Sequence, residues 1–239
     1  MAYVDGWRGR IGLITVVSGS STEAEFNRYV PEGVAVLTTR IPLGKITVEA
    51  HIKMVPYVDE AASLLAGAEV DVIVFADTAG SLVKGAGYDK ETIERLQGRT
   101  GLPVTTTSTG VVEALSTLNI RKIAVATPYP DDVNQAEKVF LEDSGFEVTR
   151  IKGLGLLEPR LVPQVPPGEM YRLAKEVFSE DVEGVFISCT GLHVLNIIEI
   201  LERDLNRPVI TSNQVTLWAA LRKIHINGKI EGLGKLFTI

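Results

Sequence analysis

The sequence predicts an α/β protein with buried, mostly parallel sheets, and three observations predict it. Short runs rich in Val and Ile alternate with longer segments of helical periodicity, the pattern of βαβ units. The segment 72–80, VIVFADTAG, aligns with 184–191, GVFISCTG, so that Asp77 matches Cys189 and Thr78 matches Thr190 at an offset of 112 residues. The same offset lays Ile11-Gly12-Leu13-Ile14-Thr15 on Ile123-Ala124-Val125-Ala126-Thr127, and two pairs at one offset point to a duplicated unit. If the halves are related by a pseudo-twofold axis, Asp77-Thr78 and Cys189-Thr190 face each other across a cleft.

In chain order, the apolar run 10–17 reads as a strand and 22–29 as a helix. The run 34–39 is the second strand, and helix 47–65 opens on Thr47, a capping residue followed by Glu49. The run 70–76 is the third strand, and its exit 76–85, ADTAGSLVKG, reads as a loop before helix 90–98, strand 104–106 and helix 110–118. The second half repeats the alternation: strand 122–127, helix 132–144 capped by Asp131 and Asp132, and strand 146–152. Then come helix 167–178, strand 184–188, helix 192–205, strand 209–211 and helix 214–223. The segment 157–168, LEPRLVPQVPPG, resists helix interior and central strand alike, and reads as a surface excursion, a lid or an inert loop.

With 239 residues, 45% of them hydrophobic, the chain can bury one large core or two of about half that size, which excludes disorder. Interspersed charges with a net of −6 leave no basic footprint for nucleic acid. No apolar stretch is long enough to span a membrane, and the first residues lack the pattern of a signal peptide, so a cytoplasmic protein is expected. The single cysteine excludes an internal disulfide, and three scattered histidines carry no metal-ligand spacing, so no metal is expected.

Chemistry must then come from a thiol, hydroxyls, carboxylates and backbone amides. Cys189 follows an apolar strand and precedes Thr190-Gly191-Leu192, read as a helix opening, where the helix field would lower its pKa and make it a nucleophile or base. Asp77 either caps a helix or carries a proton; beside an anionic ligand it would have to be protonated. Thr78, Ala79, Gly80 and Ser81 offer hydroxyls and amides to a carboxylate, and small residues there let a ligand approach the main chain. Tyr129, between Pro128 and Pro130, either points its hydroxyl to the cleft or lies at the surface. Asn213, in Ser212-Asn213-Gln214, binds a carboxylate or serves the following helix. His193 is read as packing in an apolar stretch rather than pairing with Cys189, and His51 and His225 as lacking supporting neighbours.

Together, Thr47-Val48-Glu49, Asp77-Thr78-Ala79-Gly80-Ser81 with Lys84-Gly85, Thr127-Pro128-Tyr129 with Asp131-Asp132-Val133-Asn134, Ser188-Cys189-Thr190-Gly191-Leu192, and Ser212-Asn213-Gln214 with Leu217-Trp218 resemble the aspartate/glutamate racemase superfamily. The closer resemblance is to its branch of maleate cis-trans isomerases and arylmalonate decarboxylases. It implies two Rossmann-like lobes, 1–117 with 212–239 and 118–211, enclosing a cofactor-free site for a small carboxylate or dicarboxylate, and it allows a homo-oligomer. Cys189 falls on the family's second-lobe cysteine. Thr78 and Tyr129 fall on ligand-binding positions, with Thr190, Gly191 and the amino-terminal loop at Ser18 beside them. Asp77 stands where the isomerases carry their first cysteine, and a carboxylate is a poor substitute for a thiolate in addition to a double bond. Arg40 and Ser212-Asn213-Gln214 read more like the isomerases, so isomerase-like chemistry is the nominal expectation. Decarboxylation through Cys189 alone, racemisation between Asp77 and Cys189, and silent acid binding are the alternatives.

Overall fold

The computed structural model describes residues 5–239; residues 1–4, assigned to the first lobe from sequence, lie outside the described residues. Two four-stranded parallel sheets carry the chain. The first orders β2 (Val34–Ile41), β1 (Gly9–Val16), β3 (Val72–Phe75) and β4 (Val104–Thr106). The second orders β6 (Glu147–Gly153), β5 (Lys122–Thr127), β7 (Gly184–Ile187) and β8 (Val209–Thr211), the same topology four strands later. The duplication extends to register: Ile11 pairs with Val72 in the first sheet, and Ile123 with Gly184 in the second. The inner strands are buried on both faces, which is why they read as continuous apolar runs.

The flanking helices are α1 (Ser20–Tyr29), α2 (Val48–Lys53), α3 (Val55–Gly67), α4 (Thr78–Leu82), α5 (Tyr88–Thr100), α6 (Thr107–Thr117), α7 (Asp131–Asp143), α8 (Pro167–Val177), α9 (Ile198–Leu205) and α10 (Ser212–Lys223). Among the described residues, no helix is long and apolar enough to cross a membrane. Four expectations need correction. The helix expected over 47–65 breaks at Met54, because Pro56 in the first turn of α3 has no N–H to continue the ladder. The loop expected over 76–85 contains α4, a short helix capped by Asp77. The helix expected from 192 starts only at Ile198, after a 3₁₀ turn at Leu195–Ile197. There the backbone is claimed from elsewhere: Asn213 donates to the carbonyls of Thr190 and Leu192, and Glu25 accepts from the Leu195 amide. Asp131 and Asp132 lie in the first turn of α7 but make no cap; Pro130 holds that position.

Helix α10 leaves the second sheet and packs against β3, β4 and α6 of the first, and its first ten residues are buried. It is held at its start by a capping box between Thr211 and Gln214. The exits of the two sheets are joined by buried hydrogen bonds. The Thr78 hydroxyl donates to Ser212 Oγ (2.8 Å), the Thr190 hydroxyl to the Ala76 carbonyl (3.2 Å), and the Thr216 hydroxyl to Thr107 Oγ1 (2.9 Å).

Beneath the Cys189 loop, Glu137 on α7 is fully buried and accepts from the Ser188 hydroxyl at 2.6 Å, while its Oε2 has no partner. Burial pushes its carboxyl up to about 8, opposed by the Ser188 bond, and pushes Glu25 up to about 7. A folded-state pKa above the unfolded one stabilises the fold at acid pH and loses that contribution as pH rises through the folded value. Denaturant unfolding of the wild type should therefore show stability falling between about pH 5 and 8, by at least about 1 kcal/mol. Glu137→Gln keeps the acceptor for Ser188 and should flatten that slope, leaving the part due to Glu25, Asp77 and the other carboxyls raised by burial. An unchanged slope in the variant would show that Glu137 does not change protonation on unfolding.

Candidate active site

One narrow cavity of about 30 Å³ lies where the strand exits of the two sheets meet. Asp77 and His51 enter from the first sheet side, Cys189, Thr190, Gly191 and Tyr129 from the second, and Ser18 from the loop after β1. Val16, Leu43, Ile46, Pro159 and Val162 make the rest of the wall. The proline-rich excursion thus forms part of the cavity, through a 3₁₀ turn at Pro159–Gln164 that is tied to the first lobe by the Ile46 amide on the Leu157 carbonyl (2.9 Å). Among the described residues, no Lys or Arg lines the cavity; Arg40 is exposed and bonded to Glu23 instead.

Cys189 has φ +107°, a conformation that L side chains avoid at a cost of about 1–3 kcal/mol. It is held there from three directions. Its amide donates to Ser212 Oγ at 2.9 Å, Ser188 before it is bonded to Glu137, and Thr190 after it to the Ala76 carbonyl. The Gly191 amide donates to Cys189 Sγ at 3.4 Å, and Gly191 itself leaves room for Val162, whose Cγ1 would lie 2.9 Å from an added Cβ. The expected helix field is missing because no helix starts at 190. Burial instead pushes the thiol up to about 12, against the lowering effect of the Tyr129 hydroxyl and the Gly191 amide, which favours thiol over thiolate. Tyr129 is buried, its hydroxyl kept protonated chiefly by desolvation. Its backbone is fixed by Thr127 and Asn134, and it approaches Gly153 so closely that any Cβ there would meet the Tyr129 carbonyl at 2.1 Å.

Asp77 caps α4 by accepting the Gly80 amide on Oδ1 (3.1 Å), while its buried Oδ2 has no partner. Desolvation raises its pKa, opposed by His51 and the Gly80 bond. Sequence reasoning missed His51, read as having no supporting neighbours. The ring is 2% exposed, lines the cavity, and sets Nε2 3.8 Å from Asp77 Oδ1. Its one sequence signal was its place four residues after the cap Thr47, whose carbonyl anchors Nδ1 at 2.7 Å. His193 and His225 do not line the cavity.

Thr78, Ala79, Gly80, Ser81 and Asn213 do not line it either and sit in the layer behind. Ser81 is engaged with Ser108 and the carbonyls of Asp77 and Thr78, and Asn213 with Glu25 and the Cys189 loop. Among the described residues, no cluster of three or more His, Cys, Asp or Glu side chains could hold a metal ion.

A thiol of this kind should react slowly. At pH 8, iodoacetamide should alkylate Cys189 in the ligand-free protein at least about tenfold more slowly than a free cysteine, with the rate still climbing above pH 9. A rate that levels off below pH 8 would restore the thiolate expected from sequence.

A family model described as "Arylmalonate decarboxylase" matches residues 11–237. An arylmalonate decarboxylase of Bordetella bronchiseptica is 30% identical over 230 residues, 95% of this chain and 95% of that protein. A maleate isomerase of Pseudomonas putida is 25% identical over 242 residues, 96% of this chain and 97% of that protein. Among solved structures, a liganded double mutant of arylmalonate decarboxylase superposes with a TM-score of 0.91 at 29% identity, covering 96% of this chain and 98% of that one. With the match running through both sheets and every residue of the cavity, the chain belongs to the arylmalonate decarboxylase family.

Proposed function

We propose that this chain is a cofactor-independent decarboxylase of small malonic acids carrying an apolar substituent, with Cys189 as the proton donor. One observation carries the reading: a protonated thiol shares a cavity with an apolar wall, and neither a second thiol nor a Lys or Arg lines it among the described residues. A carboxylate pressed against Val16, Leu43, Ile46, Pro159 and Val162 loses hydration without gaining a counter-charge, whereas neutral carbon dioxide suffers no such penalty. Breaking the bond to that carboxylate leaves the electron pair on the α-carbon, delocalised into the remaining carboxylate as an enediolate. The Cys189 Sγ–H gives its proton to that carbon, and the thiolate recovers one from water, so each carbon dioxide released consumes one proton.

The remaining carboxylate is read as held by the Tyr129 hydroxyl, by Ser18 and by the loop amides at Thr190 and Gly191, with Thr78, Ala79, Gly80, Ser81 and Asn213 shaping the wall behind. Each charge-assisted hydrogen bond contributes on the order of 1–3 kcal/mol. The lobes are read as 1–117 with 212–239 and 118–211, supported by α10 lying against β3, β4 and α6. Isomerisation by thiolate addition is the second reading, favoured by the maleate isomerase relative. Asp77 on the first lobe and a protonated Cys189 on the second leave it without a ready nucleophile.

Incubation with methylmalonate, phenylmalonate and maleate in deuterium oxide, followed by NMR, tests this. The expected outcome is loss of a substituted malonate with one deuterium gained at the α-carbon. Cys189→Ser should reduce the rate by about 10²–10⁴-fold, the usual contribution of a placed general acid. Fumarate formed from maleate with both malonates untouched would put the isomerase reading in its place.

A further inference from the structure

We propose that His51 is a positioning residue for Asp77: its ring, anchored on the Thr47 carbonyl, sets Nε2 in ion-pair range of Asp77 Oδ1, so that imidazole and carboxyl together hold one proton on the cavity wall. The anchoring begins with a helix cap. Thr47 Oγ1 accepts the Ala50 amide at 3.2 Å, and the Thr47 carbonyl takes both the His51 amide (3.2 Å) and His51 Nδ1 (2.7 Å). A carbonyl only accepts, so Nδ1 carries a hydrogen. A neutral ring then has a bare lone pair at Nε2, and that atom faces Asp77 Oδ1 at 3.8 Å. Both side chains are more than nine-tenths buried; Asp77 Oδ1 also accepts the Gly80 amide, and Asp77 Oδ2 has no partner. At 3.8 Å the two atoms are beyond a hydrogen bond but within ion-pair range, and with both side chains buried the pair as a whole carries one proton, on nitrogen or on oxygen.

No other group competes for the ring among the described residues. Tyr129 and Cys189 are the remaining titratable side chains in the cavity. Glu49 and Lys53 on α2 bond to each other at the surface, Asp59 on α3 bonds to Arg95, and Asp131 and Asp132 are exposed at the start of α7. The shared proton has two consequences. An anionic substrate meets a neutral pair rather than a bare carboxylate. The one proton of the pair also balances the pair's own charge, which leaves Cys189 to deliver the proton to carbon. The second consequence rests on the decarboxylase reading; the pair itself does not.

The test joins a measurement without substrate to a kinetic cycle. In protein labelled with ¹⁵N-histidine, two-bond ¹H–¹⁵N correlation should find His51 protonated at Nδ1, with an Nε2 resonance that moves in D77N while those of His193 and His225 stay. A neutral ring carrying its proton on Nε2, or an Nε2 signal indifferent to D77N, overturns the pair. Should D77N not fold, D77S serves the same comparison. On a malonate that turns over, H51Q should lower kcat by about tenfold with KM within about twofold, and should cost nothing further in D77N. An H51Q effect as large in D77N as in the wild type overturns action through Asp77. A protein that turns over no malonate sinks the decarboxylase reading, while the NMR result still decides the pair.

Discussion

The structure depends on how two parallel sheets satisfy the polar backbone at their carboxyl ends when those ends are buried against each other. Each strand exit loses its sheet partners there, and an unpaired buried amide or carbonyl costs about as much as a lost hydrogen bond. Short hydroxyl side chains supply the partners, Thr190 to the Ala76 carbonyl, Thr22 to the Thr190 carbonyl and Ser212 to the Cys189 amide, and hydroxyl pairs Thr78–Ser212 and Thr216–Thr107 brace the junction. Ser212 Oγ accepts from the Thr78 hydroxyl and from the Cys189 amide together, so the thiol on the second lobe is positioned through a contact with the first. The strained backbone at Cys189 persists because the residues on both sides of it are also held.

Packing the junction this tightly decides its electrostatics. Glu25, Glu137, Asp77 and Cys189 all have their pKa values raised, with desolvation the largest cause in each. No Lys or Arg lines the cavity, among the described residues, to reverse that preference. The interior therefore stores protons rather than charges. Such an environment suits giving a proton to a carbon that has just acquired an electron pair, and suits poorly a mechanism that starts from a free thiolate.

Much of this was legible in the linear sequence. Central strands buried on both faces must be apolar throughout, so their runs stand out, and a duplicated unit repeats those runs at one offset, which carried Asp77 onto Cys189. Both residues then follow from topology, since matching strand exits of two like sheets line one cavity. Sequence also marked the cap at Thr47, because capping is a contact within one turn.

What only the tertiary structure decided are the features set by neighbours distant in the chain. The helix expected at 192 is delayed to Ile198 because Glu25 and Asn213, both far away in sequence, claim its backbone groups. The thiol pKa runs opposite to expectation because the predicted helix field is absent and burial, which no local pattern reports, dominates. His51 escaped notice since its partner Asp77 lies 26 positions on, at the end of another strand. Periodicity and turn chemistry are local and survive in one dimension; desolvation and the pairing of buried groups exist only once the two sheets have closed on each other.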